Sequence, residues 1–150
     1  MLPRYHILVG LIITPIIHLA YQLTLMQSSI IFLSSFLIDV DHYIIYIIME
    51  KDLSLKRASK YFSNLKEKWI SLNQKERINK KFVILPFHGI EFWIFLIILL
   101  PTFPLIWFIL IGFIIHIIPD YIDLAYYEYP LFRKISQLQV YYHNSRIMLK

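Results

Sequence analysis

Residues 29–49 form an apolar run long enough to cross a membrane, yet they contain two carboxylates and an imidazole. These groups belong to Asp39, Asp41 and His42. A charged side chain in hydrocarbon costs about 2.5–3.5 kcal/mol even on lenient scales, and it almost always has a partner there. The chain must therefore bring partners for this stretch from other segments, and this need constrains its fold more than any other feature.

Hydrophobic residues make up 58% of the 150 residues, compared with roughly 45–50% in an average soluble domain. A soluble protein of this length could not bury so much apolar surface. A membrane span needs about 20 mostly apolar residues, and four segments qualify. We therefore predict one all-α, polytopic transmembrane domain over residues 1–150, built as a four-helix transmembrane bundle with spans at about 5–26, 29–49, 82–100 and 105–126.

A basic segment, residues 50–81, separates the second and third spans and contains ten Lys or Arg against four acids. We predict one or two amphipathic helices on anionic lipid headgroups, with a solvated loop containing some helix as the alternative. The basic tail, residues 130–150, is a candidate for another surface helix. The positive-inside rule places both segments and both termini in the cytoplasm, in a multi-pass protein of the cell (inner) membrane. Because the basic residues flank spans, we expect no nucleic-acid partner.

The other spans contain ionisable groups that could partner the acidic pair. His6 opens the first span, His88 and Glu91 lie in the first turns of the third, and His116 and Asp120 lie in the last turns of the fourth. In four antiparallel helices, all these groups lie in the cytoplasmic half of the membrane, whereas the outer halves are nearly free of ionisable residues. We therefore expect the polar groups to meet at one level.

Three pairs of an imidazole and a carboxylate have helical spacing, which places each pair on one face of its helix. The pairs are Asp39 with His42, His88 with Glu91, and His116 with Asp120. Such pairs build the metal centres of helical bundles. Asp41 is rotated about 200° from Asp39 in a regular helix, so it either holds a second metal ion or orients an imidazole.

We interpret the convergence as a buried site for a divalent metal; a structural polar network and a proton or ion pathway are alternatives. The chain has no cysteine, so the ligands must be nitrogen and oxygen. That set suits zinc best, with manganese or iron as options. The candidates exceed the needs of one tetrahedral ion, so the site holds one or two. His18 lies towards the far side and is interpreted as a hydrogen-bonded packing residue.

Several motifs resemble those of the small bacterial and archaeal membrane-bound metal-dependent hydrolases, a family that includes LexA-regulated inner-membrane proteins. Residues 37–42 resemble its Leu-Pro-Asp-x-Asp-His signature, and residues 112–120 resemble its Gly-x-x-x-His-x-x-x-Asp helix. His6 with Gly10 resembles its His-x-x-x-Gly, and residues 87–91 fall where the family has His-Arg-x-x-Thr-His. The resemblance covers roughly residues 5–125. It implies a metal-dependent hydrolase with a looser, phospholipase-like similarity to zinc-dependent phospholipase C.

As an enzyme, the protein would act on a phosphoester or lipid-linked substrate in the cytoplasmic leaflet, with the basic segment holding anionic headgroups. Glu91 or Asp41 would be a bridging ligand or the general base. The alternatives are a divalent-metal or proton carrier using the same site, and a non-enzymatic membrane adaptor. The metal ligands would be His6, Asp39, Asp41, His42, His88, His116 and Asp120.

Overall fold

The computed structural model describes residues 3–148, and that part of the chain contains helices and no β-strand. A short 3₁₀ turn, Pro86–His88, precedes the sixth helix. The α-helices are α1 (Pro3–Tyr21), α2 (Leu25–Leu37), α3 (Val40–Glu50), α4 (Leu55–Ser71), α5 (Gln74–Ile78), α6 (Ile90–Leu99), α7 (Ile106–Tyr126), α8 (Phe132–Ile135) and α9 (Gln137–Met148).

Three stretches are long and apolar enough to cross a membrane: Arg4–Tyr21, Leu25–Glu50 and Ile106–Tyr126. The chain thus has the helices of a membrane protein, as its composition predicts. The predicted third span, residues 82–100, is α-helical only from Ile90 to Leu99. Ten helical residues measure about 15 Å, half of a hydrocarbon core about 30 Å thick. Residues 3–148 therefore contain three long apolar stretches and one short apolar helix, where the sequence predicted four spans.

The second stretch is interrupted at the acidic motif. Residues 38 and 39 form a turn between α2 and α3. The backbone there makes tighter i→i−3 bonds, from Asp39 to Phe36, from Asp41 to Ile38 and from His42 to Asp39. Such a turn rotates the following side chains relative to a regular helix. Asp39 and Asp41 can therefore serve one cluster, which a continuous helix would prevent.

Two glycines allow α1 and α7 to pack closely against α2. A Cβ added to Gly112 would lie 2.5 Å from the carbonyl oxygen of Ile31, and one added to Gly10 would clash with Ser35 Oγ. Small residues permit such close approach of helices in membranes. Because His6 and His116 each lie one helical turn from a glycine, this packing brings both imidazoles to α2.

The sequence allowed two forms of the basic segment, amphipathic helices or a solvated loop with some helix. The structure shows helices there. α4 is capped by Ser54, whose hydroxyl accepts a bond from the Arg57 N–H, and it packs against α3. The Arg57 guanidinium donates two bonds of 2.6 Å to Asp52. This pairing, together with the Tyr46 hydroxyl, holds the pKa of Asp52 well below its ordinary value. These bonds therefore fix the α3–α4 connection and hold α4 against α3.

The tail folds back onto the irregular segment that precedes α6, residues 80–85. The Asn144 side chain bonds both backbone groups of Phe82, at 2.9 and 2.8 Å. Gln137 Oε1 accepts a bond of 2.7 Å from the Leu85 N–H. These side chains replace the hydrogen bonds that a helix would supply, which allows this stretch to be non-helical next to apolar surroundings.

Candidate metal centre

Seven of the eight predicted site residues lie together at one end of the bundle. α1, the α2–α3 turn, α3, the 3₁₀ turn and α7 each contribute to this cluster. Five of its members have 2% or less of their surface exposed: His6, Asp41, His88, His116 and Asp120. The other two, Asp39 and His42, are partly exposed, with side-chain exposures of 10% and 21%.

Four donor atoms from three elements lie at separations that suit the ligands of a metal ion. The Nε2 atoms of His88 and His116 lie 3.4 and 3.6 Å from Asp39 Oδ1. The same nitrogens lie 3.6 and 3.1 Å from Asp120 Oδ2. Zinc bonds of about 2.0–2.1 Å imply separations of about 3.3–3.5 Å between neighbouring ligands of a tetrahedron. Four of the six edges of an N₂O₂ tetrahedron therefore have suitable lengths.

His6 faces the other oxygens of the same two carboxylates. Its Nε2 lies 3.5 Å from Asp120 Oδ1 and 3.9 Å from Asp39 Oδ2. Its ring stacks on that of His116, with centroids 3.7 Å apart. His6 can thus act as a fifth ligand, or it can join the two outer oxygens in a second, three-donor position.

Several buried atoms of the cluster have no hydrogen-bond partner within residues 3–148. They are both ring nitrogens of His6, Nε2 of His88, Nε2 of His116 and Asp39 Oδ2. Buried polar atoms are nearly always paired, so a concentration of unpaired ones requires a reason. Imidazole lone pairs and a carboxylate oxygen all bind a cation, and a cation bound among them would supply the missing partner.

Hydrogen bonds on the outer side of two imidazoles set their tautomers. His116 Nδ1 lies 2.9 Å from the backbone oxygen of Ser35, which can only accept, so Nδ1 carries the proton. His88 Nδ1 lies 3.0 Å from Asp41 Oδ2 and likewise donates. In both neutral rings the Nε2 lone pair then points into the cluster. This is how metal-binding histidines are normally supported.

Asp41 orients imidazole rings. The sequence left open whether it does this or holds a second metal ion. Asp41 accepts bonds from Nδ1 of His42 and His88, at 2.9 and 3.0 Å, and from the Phe87 N–H at 3.1 Å. His42 Nδ1 also lies 3.3 Å from Asp39 Oδ1. The His42 ring packs against Phe62 of α4, with centroids 4.9 Å apart. Asp41 therefore connects two imidazoles, and His42 lies on the outer side of the cluster.

Glu91 does not join the cluster, so its predicted role as bridging ligand or general base is replaced by a structural one. Its carboxylate accepts bonds from Ser136 Oγ at 2.5 Å, the Gln137 N–H at 3.1 Å and the Leu138 N–H at 3.2 Å. These donors lie at the start of α9, where backbone N–H groups have no partner within the helix. Glu91 thus holds the tail helix to α6.

Removing this carboxylate with Glu91→Ala is expected to lower the free energy of unfolding by about 0.5–2 kcal/mol, as does loss of a helix cap. The metal content should not change, because Glu91 contacts α9 and does not belong to the cluster. Thermal unfolding in detergent and mass spectrometry of bound metal would measure the two effects. Glu76→Ala, which removes a carboxylate that caps α5, is the matched control. Loss of metal from folded Glu91→Ala protein would instead place Glu91 in the centre.

Lys134 is a site residue that the sequence pattern did not indicate. It lies on α8, only 5% of its surface is exposed, and its ammonium donates to Asp120 Oδ2. It occurs in a basic tail beside Arg133, a context that predicts solvent exposure. Its burial follows from the tail folding back onto the cluster, and nothing in the local sequence signals this.

A cavity of about 440 Å³ opens beside the cluster, with Asp39, His42 and Lys134 in its lining. Arg133 and Lys66 add positive charge to its wall. Pockets of about 300–1,000 Å³ accept small-molecule ligands. The apolar wall comes mainly from α4 and consists of Leu55, Ala58, Phe62, Ile70 and Tyr129. Glu67 also lines the cavity, and Lys66 pairs with Asp123 at 2.9 Å. The cavity therefore combines charged groups of both signs with apolar surface next to the cluster.

Comparison with known proteins identifies no relative: no family model, curated protein or solved structure significantly matches this chain. The resemblance of its motifs to the membrane-bound hydrolases stays a prediction.

Proposed function

We propose that the protein is a membrane-embedded, metal-dependent hydrolase that cleaves a phosphoester in a lipid or lipid-linked substrate. The observation that supports this most is the short spacing, 3.1–3.6 Å, between the imidazole nitrogens of His88 and His116 and the carboxylate oxygens of Asp39 and Asp120. Zinc suits two imidazoles and two carboxylates, and manganese or iron would also be accepted.

A divalent ion bound here would supply an acidified water and a Lewis acid for a phosphoryl oxygen. The chain's own contribution is to fix the ligands before substrate arrives. Ser35 and Asp41 hold the His116 and His88 rings with their lone pairs inward. Burial of these rings keeps bulk water from competing for the nitrogens, and ligands fixed in this way need not rearrange during the reaction.

His42 is our candidate for the general base, in place of Glu91 and Asp41. It is the partly exposed imidazole of the cluster, and it lines the cavity. Its Nδ1 donates to Asp41 Oδ1, which leaves the lone pair on Nε2. A histidine that is oriented by a carboxylate and accessible from a cavity is suited to accept a proton. Although the sequence suggested His42 as a ligand, the cavity favours this second role.

The cavity favours an amphiphilic anion as substrate. Arg133 can attract a phosphate, whereas Lys66 already pairs with Asp123 at 2.9 Å. The apolar face of α4 can accommodate part of an acyl or prenyl chain. The basic α4 lies at the same end as the metal cluster. The positive-inside rule favours the cytoplasmic leaflet for this end, both termini and the active site. This arrangement requires the irregular segment, the 3₁₀ turn and α6 to make the fourth crossing together.

The test begins with the wild-type protein purified in detergent. We expect bound zinc, manganese or iron by mass spectrometry, and hydrolysis of p-nitrophenyl phosphate or of phosphatidic acid in mixed micelles. A chelator should abolish hydrolysis, and added metal should restore it. A folded protein that binds no divalent metal would refute the proposal. Bound metal without hydrolysis would favour a metal carrier, which uptake into proteoliposomes would then test.

A further inference from the structure

Another cavity, of about 480 Å³, lies between α3, α4 and the irregular segment that precedes α6. Ile45 and Met49 of α3 and Trp69 of α4 contribute to its apolar wall. Its lining, within residues 3–148, includes none of the seven members of the metal cluster. The cavity beside the cluster is its neighbour, and the two share Tyr129 and Arg133. We call this separate space the tail-side cavity.

The charged side chains in the lining of the tail-side cavity are all cations: Lys80, Lys81 and Arg133. Within the described part of the chain, none of the three forms a salt bridge; the other lysines and arginines account for those that exist. Glu50 and Asp123 act electrostatically on two tyrosines of the lining, but neither lines the cavity itself. The tail-side cavity therefore has an excess of positive charge, which favours an anionic ligand.

Two of these cations are partly withdrawn from water. Lys80 is half-buried, and this burial together with nearby Lys68 lowers the pKa of its ammonium. Arg133 is half-buried as well, and its guanidinium packs against the Tyr129 ring, 4.1 Å from the ring centre. Its Nε is buried and has no hydrogen-bond partner within residues 3–148. Because a buried donor without an acceptor is unfavourable, a phosphate oxygen bound here would supply the missing partner.

The tail helix fixes the backbone that carries the two lysines. His143 Nε2 donates to the Lys80 carbonyl oxygen at 2.9 Å. One turn away along the irregular segment, Asn144 bonds both backbone groups of Phe82. The lysines thus project from a segment that is held at two points, and a ligand would lose little affinity to ordering it.

The position of the tail-side cavity favours a lipid over a water-soluble anion. Ile45 and Met49 belong to the last two turns of the apolar stretch Leu25–Glu50, so the cavity lies at one end of a candidate membrane span. Trp69 and Tyr129 stack in its wall with ring centroids 4.5 Å apart, and such aromatic residues are enriched at membrane interfaces. An anionic phospholipid offers both a phosphate for the cations and acyl chains for the apolar wall.

We propose that the tail-side cavity binds one anionic phospholipid, with its phosphate at Lys80, Lys81 and Arg133 and the first part of its acyl chains against α3 and α4. This site differs from the general attraction of a basic surface to anionic headgroups, because it is a defined cavity with one occupant. It does not depend on the reaction at the metal cluster.

The experiment titrates purified protein in detergent with phosphatidylglycerol and counts bound lipid by native mass spectrometry. Phosphatidylcholine with the same acyl chains and free glycerol 3-phosphate are the comparison ligands. Phosphatidylglycerol is expected to bind at least tenfold more tightly than either. Equal binding of the two phospholipids would overturn the inference, and equally tight binding of glycerol 3-phosphate would make the ligand a water-soluble anion instead.

Two double variants test the cationic group while they keep the net charge equal. Lys80→Gln with Lys81→Gln is expected to weaken phosphatidylglycerol binding at least fivefold. Lys56→Gln with Lys75→Gln, at exposed positions that line neither cavity, should leave it unchanged. Equal weakening in both variants would show attraction to the basic segment as a whole and would overturn the site.

A photoactivatable phosphatidylglycerol provides an independent test on the wild-type protein, which needs no variant to fold. Crosslinks are expected in residues 80–84 and on the Trp69 face of α4. Crosslinks confined to Tyr43 and Ser63, which line the cavity beside the metal cluster, would place the lipid there and refute the proposal.

Discussion

Replacing His116 with alanine is expected to remove the bound metal and abolish hydrolysis. The His116 side chain is fully buried, and its Nε2 lies within 3.6 Å of both carboxylates of the tetrahedral set. Loss of an outer partner of a metal ligand typically costs about 10–100-fold in metal affinity. Loss of the ligand itself should cost more, so the metal content after desalting should fall to background. Circular dichroism would establish that the helices remain.

His18→Ala is the matched control, because it also removes an imidazole from a membrane-spanning helix. His18 Nδ1 lies 2.8 Å from Ser28 Oγ near the α1–α2 turn, away from the cluster, as expected of a packing residue. This variant should retain its full metal content. If His116→Ala retains metal, or if both variants lose it equally, the assignment of His116 as a ligand is wrong.

Two substitutions of Asp41 are expected to separate metal binding from proton transfer. Asp41→Ala removes the acceptor of both imidazoles and should weaken metal binding about 10–100-fold, as is usual for an outer partner of a ligand. Asp41→Asn should be milder towards the metal. Its carbonyl oxygen can occupy the position that accepts from the Phe87 N–H and His88 Nδ1.

The amide nitrogen that Asp41→Asn introduces would then face His42 Nδ1. Because an amide nitrogen can only donate a hydrogen bond, His42 Nδ1 would have to accept, and the ring would adopt the other tautomer. Hydrolysis should therefore fall at least tenfold in Asp41→Asn while the metal content stays near the wild-type value. Isothermal titration with zinc and a hydrolysis assay would measure the two quantities. Asp52→Asn, at a carboxylate paired with Arg57, is the control. Full activity in Asp41→Asn would exclude His42 as the base.

The helical class and the convergence of polar residues were predictable because they depend on composition and on depth along each span. His6, Asp39, His88 and His116 are separated widely in sequence, yet each lies at the same level of its segment. Ionisable groups in apolar surroundings need partners, and that requirement alone indicated the cluster. The His116–Asp120 pair also kept its helical spacing, since α7 continues through both positions.

Helical spacing failed for the predicted pair His88 and Glu91, where the helix is interrupted before α6. His88 and Glu91 are three positions apart, but Gly89 lies between them with extended backbone (φ −79°, ψ 147°). The two side chains therefore lie in different environments. Pro86 cannot donate a backbone hydrogen bond and disrupts a helix interior, which accounts for the late start of α6. The apolar composition of residues 82–100 concealed this break.

The contribution of Lys134 was not predictable, because it depends on tertiary folding of the tail. The three hydrogen bonds that the Glu91 carboxylate accepts, together with the bond from the Leu85 N–H to Gln137, bring α8 and α9 against the cluster. No periodicity within residues 130–150 signals that one lysine of a basic run is buried. Only the assembled structure distinguishes Lys134 from Arg133, its partly exposed neighbour.

The wide spread of the cluster along the chain has a consequence for biosynthesis. Its members extend from His6 near the amino terminus to Lys134 near the carboxyl terminus. During translation, α1, α2 and the adjoining Asp39 are therefore made before the counterparts of His6 and Asp39 on α7 and α8. Because domains mature as synthesis proceeds, this end of the protein is the last to close. A chain that ended before residue 134 would lack the Lys134 ammonium, which donates to Asp120.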